Sequence, residues 1–352
     1  MLHFILRRIF QGVVSLAFIA LIGLWMIDQI PGSYADLSKQ EQQEMISDVN
    51  GFTKSEISTI PIFYVGFIPE IKQGQNFSLA SLLPDFKWHG TLNQYHIWLK
   101  GLLRGNLGKS IKDGTPVSTK ISTAVSWSVS FQLPAILLIF FVSLKFSFWS
   151  ITKKNSFYNK IIPPTLLGFH SIPVFWFCGL LLVFFSNPVF LNWFPGNVTA
   201  ISEKGAFKIW FTDPQYLVLP LIALIVPSLA YLYRLIYHSM LSETTQLYFK
   251  RARSVGLSQK TILRNEVLPI AMVPVTAWVA SAFRTMISGS LIIENIFGIP
   301  GTGRLLFQSI YYRDWPVVYH IFLLGALMTI IGLLIADILL RYLDPRTQFI
   351  HK

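Results

Sequence analysis

The chain has 352 residues, of which 53% are hydrophobic and only 13% charged, and its formal net charge is +12. Soluble domains carry roughly a quarter charged residues, so this composition excludes an ordinary soluble protein and indicates one embedded in a membrane. The single cysteine, Cys178, excludes a disulfide framework.

Six apolar runs reach about 20 residues, the length at which a helix crosses a ~30 Å hydrocarbon core. Because a bilayer leaves no water for unpaired backbone groups, such runs predict helices. We therefore predict an all-α membrane protein with six transmembrane helices. The first run is longer than a signal-peptide core and lacks a cleavage site, so we interpret it as a retained helix. The predicted spans are residues 9–30, 125–149, 161–185, 216–241, 269–297 and 316–340.

Lysine and arginine residues predict the orientation of these spans. If the N-terminus is cytoplasmic, the four inner segments (1–8, 150–160, 234–264 and 341–352) hold 14 of them, whereas the short outer loops 187–215 and 298–315 hold 4. Basic residues favour the cytoplasmic side, so we predict that both termini are cytoplasmic. The same distribution accounts for the net charge without nucleic-acid binding.

Residues 33–93 form an external, polar segment to which the sequence assigns no fold. We accordingly divide the chain into a first transmembrane helix (1–32), this insertion, and a core with five transmembrane helices (94–346). Apolar residues then recur at helical spacing, which predicts an amphipathic helix that lies at the outer interface or packs on the external segment. They are Tyr95, Trp98, Leu99, Leu102 and Leu103.

The loop of residues 243–264, between the fourth and fifth spans, predicts two helices separated by a glycine. Gly256 can end the first helix and Ser258 can cap the second. Ala252 and Gly256 are small, so another protein's backbone could approach this loop closely. The alternative is a basic surface attracted to anionic lipid.

The sequence does not match the motifs that would indicate an enzyme. Residues 105–110 resemble a phosphate-binding loop, but Leu103 stands where that motif requires its first glycine. Neither a metalloprotease pattern nor a nucleophile elbow is found, and no metal or cofactor site is predicted.

Arg284 is the charged residue closest to the middle of a predicted span, and charges at this depth are functional candidates. Ser281, Arg284 and Ser288 share one small, polar face of the fifth span. This face lines a pathway, or Arg284 binds a structural partner; the sequence leaves both open.

Six segments then carry a family resemblance. The chain resembles the B-type permease subunits of bacterial dipeptide, oligopeptide and nickel ABC importers. The most specific segments are YFKRARSVGLSQKTILRNEVLP (248–269) and GSLIIENIFGIPGTGRLLFQSIYYRDWPVV (289–318). The others are residues 2–32, 98–117, 167–185 and 336–346.

This resemblance implies a six-helix permease of the type I ABC importer (methionine-permease-like) fold in the bacterial inner membrane. It implies a role in alternating-access transport of peptides, or alternatively of nickel or another small solute. The implied partners are a second homologous permease, two cytoplasmic ATPases that bind ATP and Mg²⁺, and an extracytoplasmic binding protein. This chain would then bind no cofactor and catalyse no reaction.

Two sets of site residues follow from the resemblance. Residues 243–264, here called the coupling loop, would dock an ATPase through Lys250, Arg251, Ala252, Arg253, Gly256 and Leu257. The glycine-rich turn, residues 294–303, would form the outer turn near the gate through Glu294, Asn295, Gly298, Pro300, Gly301 and Gly303. A rival hypothesis, an autonomous secondary transporter, would show internal repeats, and none is found.

Overall fold

A computed structural model of the chain describes residues 2–28, 65–68, 85–88, 90, 93–153 and 157–343, most of them helical. The first helix is α1 (Leu2–Asp28), followed by two short strands, β1 (Val65–Ile68) and β2 (Asp85–Trp88). These strands pair in antiparallel fashion inside the segment to which the sequence assigned no fold.

Fourteen α-helices, one 3-10 helix (Val198–Lys204) and one π-helical segment (Leu263–Val267) are described along the chain. After α1 they are α2 (Gln94–Leu103), α3 (Val117–Thr152), α4 (Phe157–Ser171), α5 (Val174–Phe185), α6 (Ile209–Thr212), α7 (Gln215–Glu243), α8 (Leu247–Ser254), α9 (Gln259–Ile262), α10 (Leu268–Ala271), α11 (Val273–Ser288), α12 (Leu291–Ile296), α13 (Thr302–Tyr311) and α14 (Trp315–Leu343).

Five helical stretches within these ranges are long and apolar enough to cross a membrane, and a bent pair of helices could supply a sixth. The five are α1, α3, α7, α14 and the stretch Val275–Ile296, which runs through α11 and α12. The prediction of an all-α membrane fold with about six spans is therefore confirmed. The orientation of the termini stays a prediction.

The third predicted span is not one straight helix, because α4 and α5 meet at an angle of 101°. Pro173 precedes α5, and a proline disfavours the helical conformation of the residue before it. His170 lies in the last turn of α4. Its Nδ1 lies 3.0 Å from the carbonyl oxygen of Pro227 in α7.

The fifth predicted span is also interrupted. α11 ends at Ser288 because Gly289 takes a φ of 75°, a left-handed conformation that an α-helix cannot contain. α12 starts two residues later.

The chain divides into two compact units. The larger unit comprises Met1–Val13, Ser122–Gln308 and Leu324–Lys352. One of its apolar clusters lies beneath the coupling loop and includes Phe249, Ile262 and Leu263. A second surrounds the glycine-rich turn and includes Trp127, Ile293 and Phe297.

The smaller unit comprises Val14–Ile121 and Ser309–Leu323. In it, Tyr95 and Trp98 of α2 pack against Ala20 of α1 and Tyr319 of α14. The Trp98 indole N–H also donates to Nε2 of His320 at 3.3 Å. The predicted helix is thus confirmed, and its Tyr95 and Trp98 pack on two of the long apolar helices, whereas Leu103 of the predicted apolar face is 80% exposed. Its place at the outer interface stays a prediction.

The loop before α3 is held in the same unit by a buried carboxylate. Asp314 accepts hydrogen bonds from the Ser110 hydroxyl at 2.5 Å and the Ile111 N–H at 3.0 Å. Lys120 bridges Asp113, at 2.8 Å, and Asp314, at 3.7 Å. The segment that resembles a phosphate-binding loop therefore uses its serine in a structural contact.

Candidate functional site

The coupling loop has the helix–glycine–helix form predicted from its sequence. α8 is followed by Gly256, whose φ is 88°, a conformation that glycine adopts without a steric penalty. The Gly256 N–H donates to the Arg253 carbonyl at 3.0 Å. The Leu257 N–H donates to the Ala252 carbonyl at 3.3 Å, which completes a Schellman motif.

The second helix of the loop starts with the predicted serine cap. The Ser258 hydroxyl accepts a hydrogen bond from the Thr261 N–H at 3.2 Å, and such a bond satisfies one of the free donors at a helix start. Together the two caps give the loop a defined backbone in the absence of any partner.

Most residues predicted to dock a partner face away from the protein. Ala252 is half-buried and packs against the core beneath the loop. Phe249 is buried in the same cluster and anchors α8. The other five predicted residues are exposed: Lys250, Arg251, Arg253, Gly256 and Leu257.

Exposed apolar side chains lie among these basic ones. Val255 is 81% exposed and Leu247 is 70% exposed. An uncovered surface that mixes apolar and basic side chains is typical of an interaction site.

The base of the coupling loop is held by a tyrosine–carboxylate contact. The Tyr248 hydroxyl donates to Oε2 of Glu243 at 2.9 Å. Burial and the adjacent Glu243 carboxylate raise the pKa of Tyr248 above its ordinary value, so the hydroxyl keeps its proton and remains a donor.

Glu294 is fully buried at the centre of the glycine-rich turn. Its Oε1 accepts from the Ser128 hydroxyl at 2.8 Å and from the Ser290 N–H at 3.1 Å. Its Oε2 accepts from the Arg304 N–H at 3.0 Å. That N–H lies in the first turn of α13, where backbone donors lack helical partners and the helix dipole favours an anion.

Two hydroxyl groups extend this network. The Ser128 hydroxyl accepts from the Thr302 N–H at 2.8 Å and lies 2.9 Å from the Thr302 hydroxyl. The Thr302 hydroxyl in turn donates to the Ile287 carbonyl of α11. The carboxylate and the two hydroxyls thereby connect α3, α11, α12 and α13.

Close packing around the carboxylate accounts for Gly301. A Cβ at this position would lie 2.5 Å from Oε2 of Glu294 and 2.5 Å from the Ser128 hydroxyl oxygen. Real Cβ atoms do not approach other atoms so closely, so any larger residue would displace the network.

The structure places the six residues predicted for this turn in three neighbouring elements. Glu294 and Asn295 belong to α12, and Gly303 lies in the first turn of α13. Gly298, Pro300 and Gly301 form the connection, in which Gly298 has a φ of 69°. The prediction of a tight turn is confirmed, and its role near a gate stays a prediction.

Residues 198 and 199 form hydrogen bonds with this turn. The Gly298 carbonyl accepts from the Thr199 hydroxyl at 2.7 Å and from Nη1 of Arg304 at 2.8 Å. The Val198 N–H donates to the Phe297 carbonyl at 2.8 Å. These contacts attach the turn to residues 198 and 199 of the larger unit.

The predicted polar face lies on α11. Arg284 is exposed and Ser281 is half-buried, whereas the side chain of Ser288 lies outside the described residues. Arg284 lies near the middle of the membrane-length stretch Val275–Ile296, as expected, although α11 itself ends at Ser288, about one turn later. Hydropathy does not register the break at Gly289.

Ser128, Thr302 and Thr199 were missed by the sequence analysis. Ser128 lies 166 positions from its carboxylate partner, and an isolated serine in an apolar span carries no signal of such a contact. Among the described residues, no group of three or more histidine, cysteine, aspartate or glutamate side chains could hold a metal ion.

Known proteins share much of this chain. Residues 141–349, more than half of the chain, match the family described as the binding-protein-dependent transport system inner membrane component. The chain is 33% identical over 258 residues to the oligopeptide transport system permease protein AppB of Bacillus subtilis (strain 168). That match covers 73% of this chain and 80% of the relative.

Two further relatives agree. A putative peptide transport system permease protein of Brucella abortus (strain 2308) is 34% identical over 263 residues, which cover 74% of this chain and 81% of the relative. The dipeptide transport system permease protein DppB of Alkalihalophilus pseudofirmus is 26% identical over 273 residues, which cover 73% of this chain and 81% of the relative.

Multiple membrane-length helices accompany this match. The chain therefore belongs to the family of binding-protein-dependent transport system inner membrane components, as a multi-pass transport permease of the inner membrane rather than an enzyme.

Proposed function

We propose that the chain is a permease subunit of an ATP-driven ABC importer that carries di- or oligopeptides by alternating access. Relatives named for oligopeptide and dipeptide transport support this substrate class. The observation that carries the ATP-driven part of the proposal is the coupling loop, whose capped backbone presents exposed basic and apolar side chains.

In this proposal two cytoplasmic ATPases bind ATP and Mg²⁺, and one of them docks on the coupling loop. Protein docking is favoured over loose attachment to anionic lipid, because the loop is rigidly capped and Gly256 lies open to a partner's backbone. Closure of the ATPases pulls the loops of two permeases together and reverses the access of the path. This chain binds no nucleotide and contributes no catalytic group.

A second, homologous permease completes the path, and an extracytoplasmic binding protein delivers the peptide. The face of α11 that carries Ser281, Arg284 and Ser288 lines the path, because charged and polar groups at membrane depth need a wet or polar surrounding. The glycine-rich turn holds the neighbouring helices together at the outer end of the path.

Cysteine crosslinking tests the docking step. Cys178 is buried and can be replaced by serine, and Leu257→Cys then places one thiol on the exposed coupling loop. In membranes that contain the assembled complex, we expect a crosslink from this thiol to an ATPase. Val189→Cys, exposed on another loop, is the matched control and should give none. A Leu257→Cys chain that reacts with maleimide but never crosslinks would contradict the proposal.

Uptake by proteoliposomes separates the alternatives. A peptide importer takes up peptide only with ATP inside, the ATPases and the binding protein. An importer for nickel or another small solute would show ATP-driven uptake of that solute and none of peptide. Transport by this chain alone without ATP would identify a secondary transporter.

A further inference from the structure

α3 contacts both the coupling loop and the glycine-rich turn. Its stretch from Ser128 to Ile151 covers about 35 Å at 1.5 Å per residue. Buried positions recur every three or four residues between these two ends, so the helix packs against the larger unit over the whole distance. They are Phe131, Ala135, Ile139, Ser143 and Ser147.

The N-terminal end of this stretch is bonded to the glycine-rich turn. The Ser128 hydroxyl donates to Oε1 of Glu294 at 2.8 Å and accepts from the Thr302 N–H at 2.8 Å. Trp127 and Phe131, beside it, lie in the apolar cluster that surrounds the turn. This part of α3 and the turn therefore share both polar and apolar contacts.

The C-terminal end of the stretch is bonded to the base of the coupling loop. Ile151 is buried in the apolar cluster beneath the loop, together with Ile262 of α9. Its carbonyl oxygen accepts from Nε2 of Gln259, also in α9, at 3.4 Å. The hydroxyl of Ser150 accepts from the hydroxyl of Tyr233 at 3.1 Å, which joins α3 to α7, the helix that leads into the coupling loop.

A proline inside this stretch interrupts the hydrogen bonds of α3. Pro134 has no backbone N–H, so the carbonyl of Ser130, four residues before it, lacks its α-helical donor. The indole N–H of Trp210 in α6 donates to this carbonyl at 3.1 Å. The indole therefore takes the place of the missing N–H, and α3 continues past its proline as one helix.

Trp210 is itself held in place by a part of the protein that does not belong to α3. Ile209, beside it, is fully buried in the cluster around the glycine-rich turn, and Trp210 packs against the same cluster. In the connection that leads to α6, the Val198 N–H donates to the Phe297 carbonyl at 2.8 Å. The indole thus supports α3 from a segment anchored on the turn.

We propose that α3 transmits movement between the coupling loop and the glycine-rich turn, and that Trp210 is the positioning residue that keeps α3 stiff at Pro134. Coupling between distant sites travels through packed side chains, hydrogen bonds and rigid helices, and α3 supplies all three. This inference rests on the proposed function. Loss of the indole N–H leaves both end contacts in place but lets α3 bend at the proline, so ATP hydrolysis continues while less of it produces uptake.

The test uses the complete complex in proteoliposomes: this chain, its partner permease, the ATPases and the binding protein. ATP hydrolysis and peptide uptake are measured together in the native complex and in Trp210→Phe, which keeps an aromatic ring but removes the donor. We expect the ATP hydrolysed per peptide taken up to rise about two- to tenfold, the effect of one hydrogen bond. Trp193→Phe, at an exposed tryptophan, is the matched control and should leave this ratio unchanged.

A second substitution separates the stiffness of α3 from the packing of Trp210. Pro134→Ala gives α3 its own N–H for the Ser130 carbonyl, so Trp210→Phe combined with Pro134→Ala should have the native ratio. A tryptophan that acted through packing alone would not be relieved in this way. Tyr233→Phe, which removes the bond to Ser150, should raise the ratio with or without Pro134→Ala.

An unchanged ratio in Trp210→Phe would overturn the inference, because the coupling would then pass through another element such as α7. So would a raised ratio that Pro134→Ala does not restore. If Trp210→Phe does not assemble, the combined variant should assemble with the native ratio, and its failure to do so would also overturn the inference. Absence of ATP-driven uptake by the native complex would contradict the proposed function itself, which distinguishes the two failures.

Discussion

The coupling loop and the glycine-rich turn are both helix–glycine–helix segments, but they direct their polar groups in opposite directions. In the coupling loop the backbone satisfies itself through the two caps, and most side chains around Gly256 are exposed. In the glycine-rich turn the Glu294 carboxylate is buried and accepts from three elements. The coupling loop therefore presents a surface, whereas the glycine-rich turn is a buried connection between helices, here called the joint.

Their glycines differ in the same way. A Cβ at Gly256 would meet nothing within 4 Å, so only its backbone angle requires glycine. A Cβ at Gly301 would collide with Glu294 and Ser128. The same residue type thus has a conformational reason at one site and a packing reason at the other.

Removal of the buried carboxylate should have the largest effect. Glu294→Ala leaves the Ser290 and Arg304 N–H groups and the Ser128 hydroxyl without their acceptor. We expect a loss of about 3 kcal/mol or more in the free energy of unfolding, measured as a lower thermal midpoint of the detergent-solubilised chain. Glu266→Ala, at an exposed acid, is the matched control. Equal thermal midpoints for the two variants would contradict the stabilising role of the buried Glu294 carboxylate.

The two glycines give the next largest contrast. Gly301→Ala should cost about 1–3 kcal/mol through overpacking. Gly256→Asn should cost less than about 1 kcal/mol, because asparagine adopts the left-handed conformation and the site is open. Thermal midpoints measure both. If Gly256→Asn were the more damaging variant, the assignment of conformational and packing roles would be reversed.

A smaller, local effect is expected at the cap of the coupling loop. Ser258→Ala removes the acceptor of the Thr261 N–H and should destabilise α9 by about 1 kcal/mol. Faster amide hydrogen exchange in residues 259–262 measures this, while exchange in residues 294–304 should stay unchanged. Ser254→Ala, at an exposed serine of the same loop, serves as control. A global change in exchange would show that the two segments are not independent.

The smallest effect is expected from the titration of Asp113, which lies in the loop before α3. Burial raises the pKa of Asp113, but hydrogen bonds from Lys120 and Thr115 outweigh it and hold the pKa well below its usual range. The ionised Asp113 carboxylate therefore makes its full contribution to the stability of the loop above the pKa of about 3.9 that an aspartate has in the unfolded chain. It is lost as the pH falls through the lower, folded-state pKa.

Hydrogen exchange of residues 109–116 should accordingly be constant from neutral pH down to about pH 4, after correction for intrinsic rates, and increase only in stronger acid. Asp113→Asn should remove that increase. An increase that begins near neutral pH would contradict the assignment to Asp113.

Local signals in the sequence predicted the coupling loop well, because a glycine stop and a serine cap act within a few residues of themselves. The joint around Glu294 could not be predicted in the same way. Its acceptor was visible as part of a glycine-rich motif, but its donor Ser128 comes from a helix 166 positions away. The ion pair of Arg8 with Asp337, at 2.9 Å, is a second contact of this kind.

Hydropathy counted the spans correctly and missed their breaks. An apolar run reports how much chain can enter a bilayer, whereas Pro173 and Gly289 act on backbone angles that hydropathy ignores. Arg284 lies near the middle of the stretch Val275–Ile296, but the break at Gly289 leaves it about one turn from the end of α11. Proline alone does not mark such a break, because Pro134 of α3 and Pro227 of α7 lie inside unbroken helices.

The π-helical segment of residues 263–267 has a geometric consequence for α11. Its wider turn carries the Leu268 N–H to the carbonyl of Leu263, five residues back, so it holds one more residue than an α-helical turn would. Each residue rotates an α-helix by about 100°. This short segment therefore sets the azimuth of every α11 side chain relative to the coupling loop, and deletion of one residue within it would turn Arg284 about 100° away from its present direction.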